Sequence, residues 1–304
     1  MTGQAPISNR AFAIAIGLMV ASAVCVAAVG LFGKEMTQSL DLTAAVFLRF
    51  FAPFLVLAGL MIVYRQPLKW ASWRHHAFRA GFAFGAQLCF FYTLGKGSLL
   101  IATLLFTTSG LFLPFVTRLA FGTEIKPRTL LAVIISFAGV AVILDPTSQL
   151  QPFVLVGLLA GLFNAGSQAV QHRQSKMDAA LPVTFAMFGI GSVLSALLVS
   201  VAGDWAVFGS VMGTGGHAIV ILVLTAAAFA VFTIGNQWLR SIAFSYVNKP
   251  ASLTPFYYSS IVFAAALDWI VYGQAPALHA YIGLVFVIAG TVIMSRRSQP
   301  APGA

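Results

Sequence analysis

The chain has 304 residues, of which 60% are hydrophobic and 8% are charged. Soluble globular proteins carry about a quarter charged residues, so this composition excludes an ordinary soluble domain. The net charge of +10 would suit nucleic acid in a soluble protein. Cytoplasmic loops of membrane proteins also collect Lys and Arg, so we expect a lipid bilayer as the partner and no nucleic acid.

Apolar segments follow one another along the whole chain, and we count ten of them. They run at 11–32, 43–64, 77–95, 99–121, 129–145, 152–172, 182–202, 217–240, 250–272 and 279–295. Their lengths match the roughly 20 residues that a helix needs to cross a ~30 Å hydrocarbon core. The sequence therefore predicts an all-α membrane protein with ten transmembrane helices.

Positive charges predict the orientation of these helices. With the N-terminus inside, fourteen of the 17 Lys and Arg residues fall on the cytoplasmic side, and only Lys34 and Lys96 fall outside. Because cytoplasmic loops carry the excess of Lys and Arg, we expect both termini in the cytoplasm and the protein in the inner (cytoplasmic) membrane.

Similar short stretches recur at equivalent places in the two halves of the chain. Phe121-Gly122 precedes the fifth segment as Tyr272-Gly273 precedes the tenth, and Ala102-Thr103-Leu104 is answered by Ala251-Ser252-Leu253. Such recurrence is the sequence signature of an internal repeat. We expect one repeat over residues 1–148 and a second over residues 149–304.

The two predicted repeats should have opposite orientations, because each contains an odd number of helices. The loop charges agree: the loop between segments two and three carries four basic residues, while its counterpart between segments seven and eight carries none. Inverted five-helix repeats are typical of secondary transporters, which bind substrate between the halves near the middle of the membrane.

A family resemblance rests on short motifs spread over nearly the whole chain. The motifs are Leu48-Arg49-Phe50, Phe121-Gly122-Thr123-Glu124, the helix with Gly139, Pro255-Phe256-Tyr257-Tyr258, Tyr272-Gly273-Gln274-Ala275-Pro276, and the helix with Gly283 and Gly290. Together they resemble the drug/metabolite transporter superfamily, of the EamA-like type with two five-helix repeats. Gln274 departs from the family pattern, which often has Glu there, and this difference concerns helix capping.

The resemblance implies a basket of helices around a central cavity. Segments 1, 3, 4, 6, 8 and 9 would line the cavity, and segments 5 and 10 would lie at the periphery, where they would support dimer contacts. Substrates of the family include amino acids, nucleotide sugars, organophosphates, vitamins and drugs. A shared fold does not choose among them.

Candidate substrate-binding residues are the polar and aromatic side chains of the segments expected to line the cavity. They are Gln87, Phe91, Tyr92, Thr103, Thr107, Asn164, Gln168, Asn236, Trp238, Thr254, Tyr257 and Tyr258. Asn164 and Gln168 share one helix face at i, i+4, as do Thr103 and Thr107. The alternative role of each is a hydrogen bond between neighbouring helices. No catalytic residue, cofactor or metal site is expected.

Charged residues inside the segments are few. Arg49 is expected to anchor its helix by pointing outward or by pairing with Asp41, and the alternative is recognition of a substrate carboxylate. We find no cluster of cationic residues at the expected midplane. The sequence therefore predicts a neutral cavity with aromatic walls, which favours zwitterionic or uncharged metabolites.

The leading hypothesis is a secondary transporter that moves small organic metabolites by alternating access, with amino-acid export as the best single interpretation. An importer of a vitamin or a nucleoside-like compound is the alternative, since Pro255-Phe256-x-Tyr258 resembles a pattern of some such importers. A membrane enzyme is disfavoured because no set of residues fits catalytic roles. A non-transporting membrane scaffold remains open, as does the choice between monomer and homodimer.

Overall fold

The computed structural model describes residues 9–65, 67, 72–125, 127–144, 152–206, 216–247 and 252–295. These residues form twelve α-helices. The helices are α1 (Asn9–Ser39), α2 (Leu42–Val63), α3 (Trp73–Lys96), α4 (Leu99–Thr107), α5 (Ser109–Phe121), α6 (Pro127–Ile143), α7 (Pro152–Gln174), α8 (Ala180–Ala202), α9 (Gly216–Ser245), α10 (Thr254–Tyr257), α11 (Ser259–Tyr272) and α12 (Leu278–Ser295).

Six helical stretches of the described chain are long and apolar enough to cross a membrane. They are α1, α2, α4 together with α5, α7, α8, and most of α9. The shorter helix α6 and the first part of α12 are also apolar. The described residues thus confirm an all-helical protein with several helices that are long and apolar enough to cross a membrane, while the count of ten and the inverted repeat stay predictions.

Two helices are interrupted by a single residue. Thr108 separates α4 from α5, and Tyr258 separates α10 from α11. Both residues keep right-handed helical dihedral angles, so the chain direction changes little at either break. The helices that follow end at Gly122 and Gly273, each with φ +66°. Glycine is favoured at such a helix end because a side chain is strained at positive φ.

Close packing of glycines joins α6 to α12. A Cβ atom on Gly139 would lie 2.6 Å from the carbonyl oxygen of Gly283, and one on Gly283 would lie 2.5 Å from the carbonyl oxygen of Gly139. The two backbones are therefore in direct contact, as small residues permit in membrane helix pairs. Elsewhere α3 packs against α7, α1 against α9, and α2 against α8.

The ends of α3 and α9 differ from the predicted segments. Helix α3 begins at Trp73 and not at 77, and α9 continues to Ser245 and does not stop at 240. The sequence interpretation ended both segments near a charged residue, Arg79 or Arg240. Both side chains are buried inside the bundle. Amide oxygens of Gln174 and Gln237 accept from Arg79, and Gln237 of the same helix and the Tyr257 hydroxyl accept from Arg240, so the helices continue past both arginines.

Candidate functional site

A small cavity of about 20 Å³ lies between the helices of the bundle. Its walls come from α1, α2, α3, α4 and α9. The lining residues are Val26, Val29, Arg49, Gln87, Phe90, Phe106, Asn236, Gln237 and Arg240. This space holds about one water molecule, so the helices must separate before the cavity can take a metabolite.

Arg49 lies on the cavity wall and is only 2% exposed. Its Nε donates to Gln87 Oε1 at 2.9 Å, and its Nη1 donates to Thr233 Oγ1 at 3.1 Å. The rings of Phe188 and Phe229 flank the guanidinium, with centroids 5.6 and 5.1 Å from Cζ. The expectation that Arg49 points outward or pairs with Asp41 is therefore wrong.

Arg79 and Arg240 are buried on the same side of the cavity and share one acceptor. Gln237 Oε1 accepts from Arg240 Nη2 at 2.9 Å and from Arg79 Nη2 at 3.2 Å. Arg240 Nη1 also donates to the Tyr257 hydroxyl at 3.4 Å, and Arg79 Nη1 donates to Gln174 Oε1 at 3.4 Å. These contacts join α3, α7, α9 and α10 around two cations.

The three guanidinium groups have no carboxylate among the described residues within ion-pair distance. Their hydrogen bonds go to amide, hydroxyl and main-chain oxygens instead. An arginine keeps its charge in proteins, so the centre of the bundle is cationic. The expectation of a neutral cavity is wrong. Guanidinium groups present planar pairs of donors that match a carboxylate, and the arrangement can therefore bind an organic anion.

Two of the predicted site residues line the cavity. Gln87 holds Arg49 there, and Asn236 faces the cavity while its Oδ1 accepts from Ser22 Oγ at 2.8 Å. Tyr257 contacts the site through its hydroxyl, which accepts from Arg240. These three positions are the ones that the structure brings to the cationic centre.

Other predicted residues connect helices or pack within them. Asn164 Nδ2 and Gln168 Nε2 both donate to Ser109 Oγ, at 3.1 and 2.8 Å, which ties α7 to α5. Thr107 Oγ1 donates to a carbonyl of its own helix. Phe91 is fully buried, with its ring 6.0 Å from that of Phe229. The contacts of Asn164, Gln168 and Phe91 are the interhelical packing that was the alternative to substrate binding.

The remaining predicted residues are dispersed. Thr103 and Tyr258 are buried, and neither hydroxyl has a hydrogen-bond partner in the described part of the chain. Tyr92 and Trp238 are 37% and 50% exposed, and neither lines the cavity. The side chain of Thr254 lies outside the described residues. A role in substrate binding stays a prediction for all of the predicted positions.

Gln237 and Arg240 were not among the predicted site residues. One sequence signal pointed to Arg240, because it follows Asn236 by four residues and therefore shares its helix face. Gln237 was recognised only as a neighbour of Asn236. Its position between two guanidinium groups depends on α3, which no local pattern in α9 reveals.

One end of the bundle is closed by a buried ion pair. Lys34 Nζ lies 3.3 Å from Asp268 Oδ1, and Asp268 Oδ2 accepts from the main-chain N of Leu100 at 2.9 Å. The hydroxyl of Tyr272 donates to Glu35 at 2.5 Å. These contacts hold α1, α4 and α11 together above the cavity.

The opposite end is closed by a different set of side chains. His76 Nε2 lies 3.6 Å from Asp178 Oδ2, and His76 Nδ1 lies 3.0 Å from Gln174 Nε2. Arg79 Nη1 also donates to the carbonyl of Val183 at 3.4 Å. The start of α3, the end of α7 and the start of α8 therefore meet at this end of the bundle.

A wider groove of about 700 Å³ runs along the outside of α3 and α7. It is lined by Trp73, Arg74, Ala77, Phe78, Gly81, Phe82 and Phe163. Trp73 and Phe78 are 66% and 64% exposed, so this groove opens to the surroundings of the bundle. Its apolar walls suit lipid, and the central cavity is the stronger candidate for a substrate site.

Comparisons with known proteins give a family and a fold. Residues 13–145 match the model of the EamA-like transporter family, within the drug/metabolite transporter superfamily. No curated protein matches the sequence. One crystal structure, whose description gives no specific protein name, has a similar fold. The TM-score is 0.66, and the sequences are 16% identical over 92% of this chain and 97% of that chain. At that identity the similarity shows the fold alone.

Proposed function

We propose that this chain, whose residues 13–145 match the model of the EamA-like transporter family, is a secondary transporter of small organic metabolites that carry a carboxylate. One observation carries the proposal: Arg49 and Arg240 line a single buried cavity without a described carboxylate to pair with either. Burying an unpaired charge is costly in a membrane protein, and such charges mark substrate pathways. A substrate carboxylate would supply the missing negative charge.

Amino acids are the substrates that we propose first. Their carboxylate would bind between Arg49 and Arg240, and the carboxamide oxygen of Asn236 on the same wall would accept from the ammonium group. The apolar side chains of Val26 and Phe106 then leave room for an uncharged substrate side chain once the cavity widens. A small number of polar groups on apolar walls is the usual design of a metabolite site.

Export is the direction that we propose. Arg79 and Arg240 lie toward the end of the bundle that the charge distribution assigns to the cytoplasm, where they would attract an anion from inside. For a substrate with a net negative charge, such as an acidic amino acid, the inside-negative potential also favours outward movement by about 2.3 kcal/mol per charge at 100 mV, whereas a zwitterionic amino acid gains nothing from it. The same assignment places both termini in the cytoplasm and the protein in the inner membrane.

Helix packing supports the proposal of two inverted five-helix repeats. In the proposed repeats α1 corresponds to α7, α2 to α8, α3 to α9, α4–α5 to α10–α11, and α6 to α12. If the repeats are equivalent, exchanging each helix for its counterpart should reproduce the observed contacts. The observed pairs α1–α9 and α1–α11 then become α7–α3 and α7–α5, which are also in contact, while α2–α8 and α6–α12 map onto themselves. The breaks at Thr108 and Tyr258 correspond as well. Interrupted helices at matching positions are a feature of such transporters.

Alternating access is the mechanism that we propose for this architecture. Opening one end requires separation of Lys34 from Asp268, and opening the other requires release of Arg79 from Gln174 and Val183. Because different helices form the two closures, one end can open while the other stays closed. The cavity is too small for a metabolite, which supports a cycle in which the helices separate at one end at a time.

The oligomeric state is proposed as a monomer or a homodimer. Helices α6 and α12 pack against each other and leave apolar outer side chains: Leu131 and Ile134 are 53% and 58% exposed, and Val285 is 66% exposed. Lipid or the same surface of a second copy would cover them. In both arrangements the central cavity lies within one chain.

Uptake into proteoliposomes tests the proposed function. Labelled amino acids and simple carboxylic acids would be offered to vesicles that contain the purified protein, with protein-free vesicles as the blank. We expect flux of at least one carboxylate and its loss in Arg49→Gln. Absence of flux for every carboxylate, in both directions and at both signs of membrane potential, would contradict the proposed function.

A second candidate is an importer of a vitamin or nucleoside-like compound with a flat ring. The rings of Phe90 and Phe106 favour it, since both line the cavity with centroids 4.9 Å apart. Aromatic side chains stack well on flat ligands. Competition separates the two functions: a flat-ring vitamin that blocks uptake of the carboxylate, and is itself accumulated, would favour the importer.

A further inference from the structure

Gln237 occupies an unusual position between two cations. Its single carboxamide oxygen accepts from Arg79 Nη2 at 3.2 Å and from Arg240 Nη2 at 2.9 Å. An amide oxygen carries only a partial negative charge, whereas the two guanidinium groups carry full positive charges. A carboxylate oxygen in the same place would carry a full negative charge and would form ion-paired hydrogen bonds with both guanidinium groups.

Unused hydrogen-bond donors surround this position. Arg79 and Arg240 are 0% and 2% exposed, yet the Nε atom of each has no hydrogen-bond partner among the described residues. A buried donor without an acceptor is costly, and native proteins leave few of them. The local structure therefore has room for a stronger acceptor than the one that Gln237 supplies.

Charge distribution divides the cluster into two positions. Arg49 and Arg240 face the central cavity directly, while Arg79 lies behind Gln237 on the side of α7 and α8. Arg240 belongs to both positions because it contacts the cavity and Gln237. Three cations in two adjoining positions exceed what one carboxylate can offset.

We propose that Arg79, Gln237 and Arg240 form a second anion-binding position, and that the substrate is a short dicarboxylate, acidic amino acids included. This inference rests on the proposed function. One carboxylate binds between Arg49 and Arg240. The other replaces the carboxamide of Gln237 between Arg240 and Arg79. Movement of the Gln237 side chain also extends the cavity toward the end where α3 begins.

A ligand with two separated carboxylates should bind differently from a ligand that carries both charges on one group. Succinate can occupy both positions at once, whereas butyrate can occupy only one. Inorganic phosphate carries its charges on a single group, so it fills one position and leaves the other cations unpaired. Aspartate and alanine give the same comparison with an amino group present.

Ligand-dependent thermal stabilisation of the purified protein tests the two positions without requiring transport. Succinate, butyrate and inorganic phosphate would be titrated against the unmodified protein, Arg79→Gln and Arg74→Gln. Arg74 is the matched control because it is an exposed arginine on the same helix. We expect the unmodified protein and Arg74→Gln to bind succinate about tenfold or more tightly than butyrate, the size of one charge-assisted contact.

In Arg79→Gln the preference for succinate over butyrate should fall close to one, while the affinity for butyrate should change little. Gln237→Glu gives a second test, in which all three buried cations are kept. The introduced carboxylate would occupy the second position permanently. We expect Gln237→Glu to lose the succinate preference and to unfold at a higher temperature. A merely structural role of Gln237 predicts no change in the ratio of the two affinities.

The outcomes separate this inference from the proposed function. Equal affinity for succinate and butyrate in the unmodified protein, or a full succinate preference in either variant, overturns the dicarboxylate inference and leaves a carboxylate transporter intact. Binding of succinate with the expected preference, but without flux of any carboxylate in proteoliposomes, overturns transport and leaves the second position intact.

Discussion

Arg49 on α2 and Gln87 on α3 are joined by a hydrogen bond of 2.9 Å between Nε and Oε1 inside the first half of the chain. The bond fixes the plane of the guanidinium so that its other nitrogens are directed toward Thr233 and the cavity. A side chain with many rotamers is thereby held in one orientation before substrate arrives. Such preorganisation lowers the entropy cost of binding.

Substitution of Arg49 tests the cationic cavity. We expect Arg49→Gln to reduce the affinity for a transported carboxylate about ten- to a hundredfold, as loss of a charged hydrogen bond does. Arg49→Lys should recover only part of this loss, because an ammonium group lacks the planar fork that reaches both Gln87 and the substrate. Concentration-dependent uptake is the measurement, and Arg118→Gln, on an exposed arginine of α5, is the control. Normal affinity in Arg49→Gln would contradict the proposed site.

Gln168 and Gln87 should respond differently to replacement by alanine. Gln168 bonds Ser109 across the α5–α7 contact, whereas Gln87 holds a cation on the cavity wall. We expect Gln168→Ala to lower the free energy of unfolding by about 0.5–1.5 kcal/mol, because it removes one buried hydrogen bond while Ser109 Oγ still accepts from Asn164. Its uptake per folded molecule should stay unchanged, while Gln87→Ala should weaken substrate affinity. Chemical denaturation and uptake, measured on the same preparations, give the two numbers.

Much of the fold follows from the lengths of the apolar segments. Predicted segments 43–64, 152–172 and 182–202 agree within two residues with Leu42–Val63, Pro152–Gln174 and Ala180–Ala202. These helices are apolar over most of their length, so hydropathy alone finds their ends to within two residues. The predictions for α1, α3 and α9 were less accurate, because charged residues near their ends were assigned to loops. The first segment was predicted to end at 32, but α1 continues past Lys34 and Glu35 to Ser39.

The site was harder to predict because it depends on partners from distant helices. Arg79 is buried since Gln174 and Gln237 accept its hydrogen bonds, and both lie far away in the sequence. Trp238 shows that a residue next to a site residue in sequence can lie outside the site. It follows Gln237 directly, but each residue turns by about 100° around an α-helix, so Trp238 is 50% exposed while Gln237 is buried. Adjacency in sequence was a poor guide, and i, i+4 spacing was a better one.

The ion pair between Lys34 and Asp268 should show strong coupling. The side chains are 12% and 3% exposed, so removal of one charge leaves the other largely buried without a partner. We expect Lys34→Gln and Asp268→Asn each to cost about 3–5 kcal/mol of unfolding free energy. The double variant should cost less than the sum by about 1–3 kcal/mol, since it leaves no unpaired charge. If the losses of unfolding free energy in the two single variants simply add, Lys34 and Asp268 do not stabilise each other. That result would contradict the role of the pair as a closure.

The glycine contact between α6 and α12 gives a prediction about packing with a control inside the chain. In Gly283→Ala the new Cβ would lie 2.5 Å from the carbonyl oxygen of Gly139 and 2.9 Å from the main-chain N of Ile143. Neither atom can move without displacement of a whole helix. We therefore expect a loss of about 1–3 kcal/mol in unfolding free energy, the usual effect of overpacking.

Gly59→Ala is the matched control, because Gly59 also lies inside a helix but a Cβ there would meet no atom within 4 Å. Alanine is the better helix former by up to about 1 kcal/mol, so this variant should be as stable as the unmodified protein or slightly more stable. Thermal unfolding in detergent compares the two substitutions directly. Equal effects of both would mean that α6 and α12 do not touch at Gly139 and Gly283, and the symmetric pairing of the last helix of each proposed repeat would lose its support.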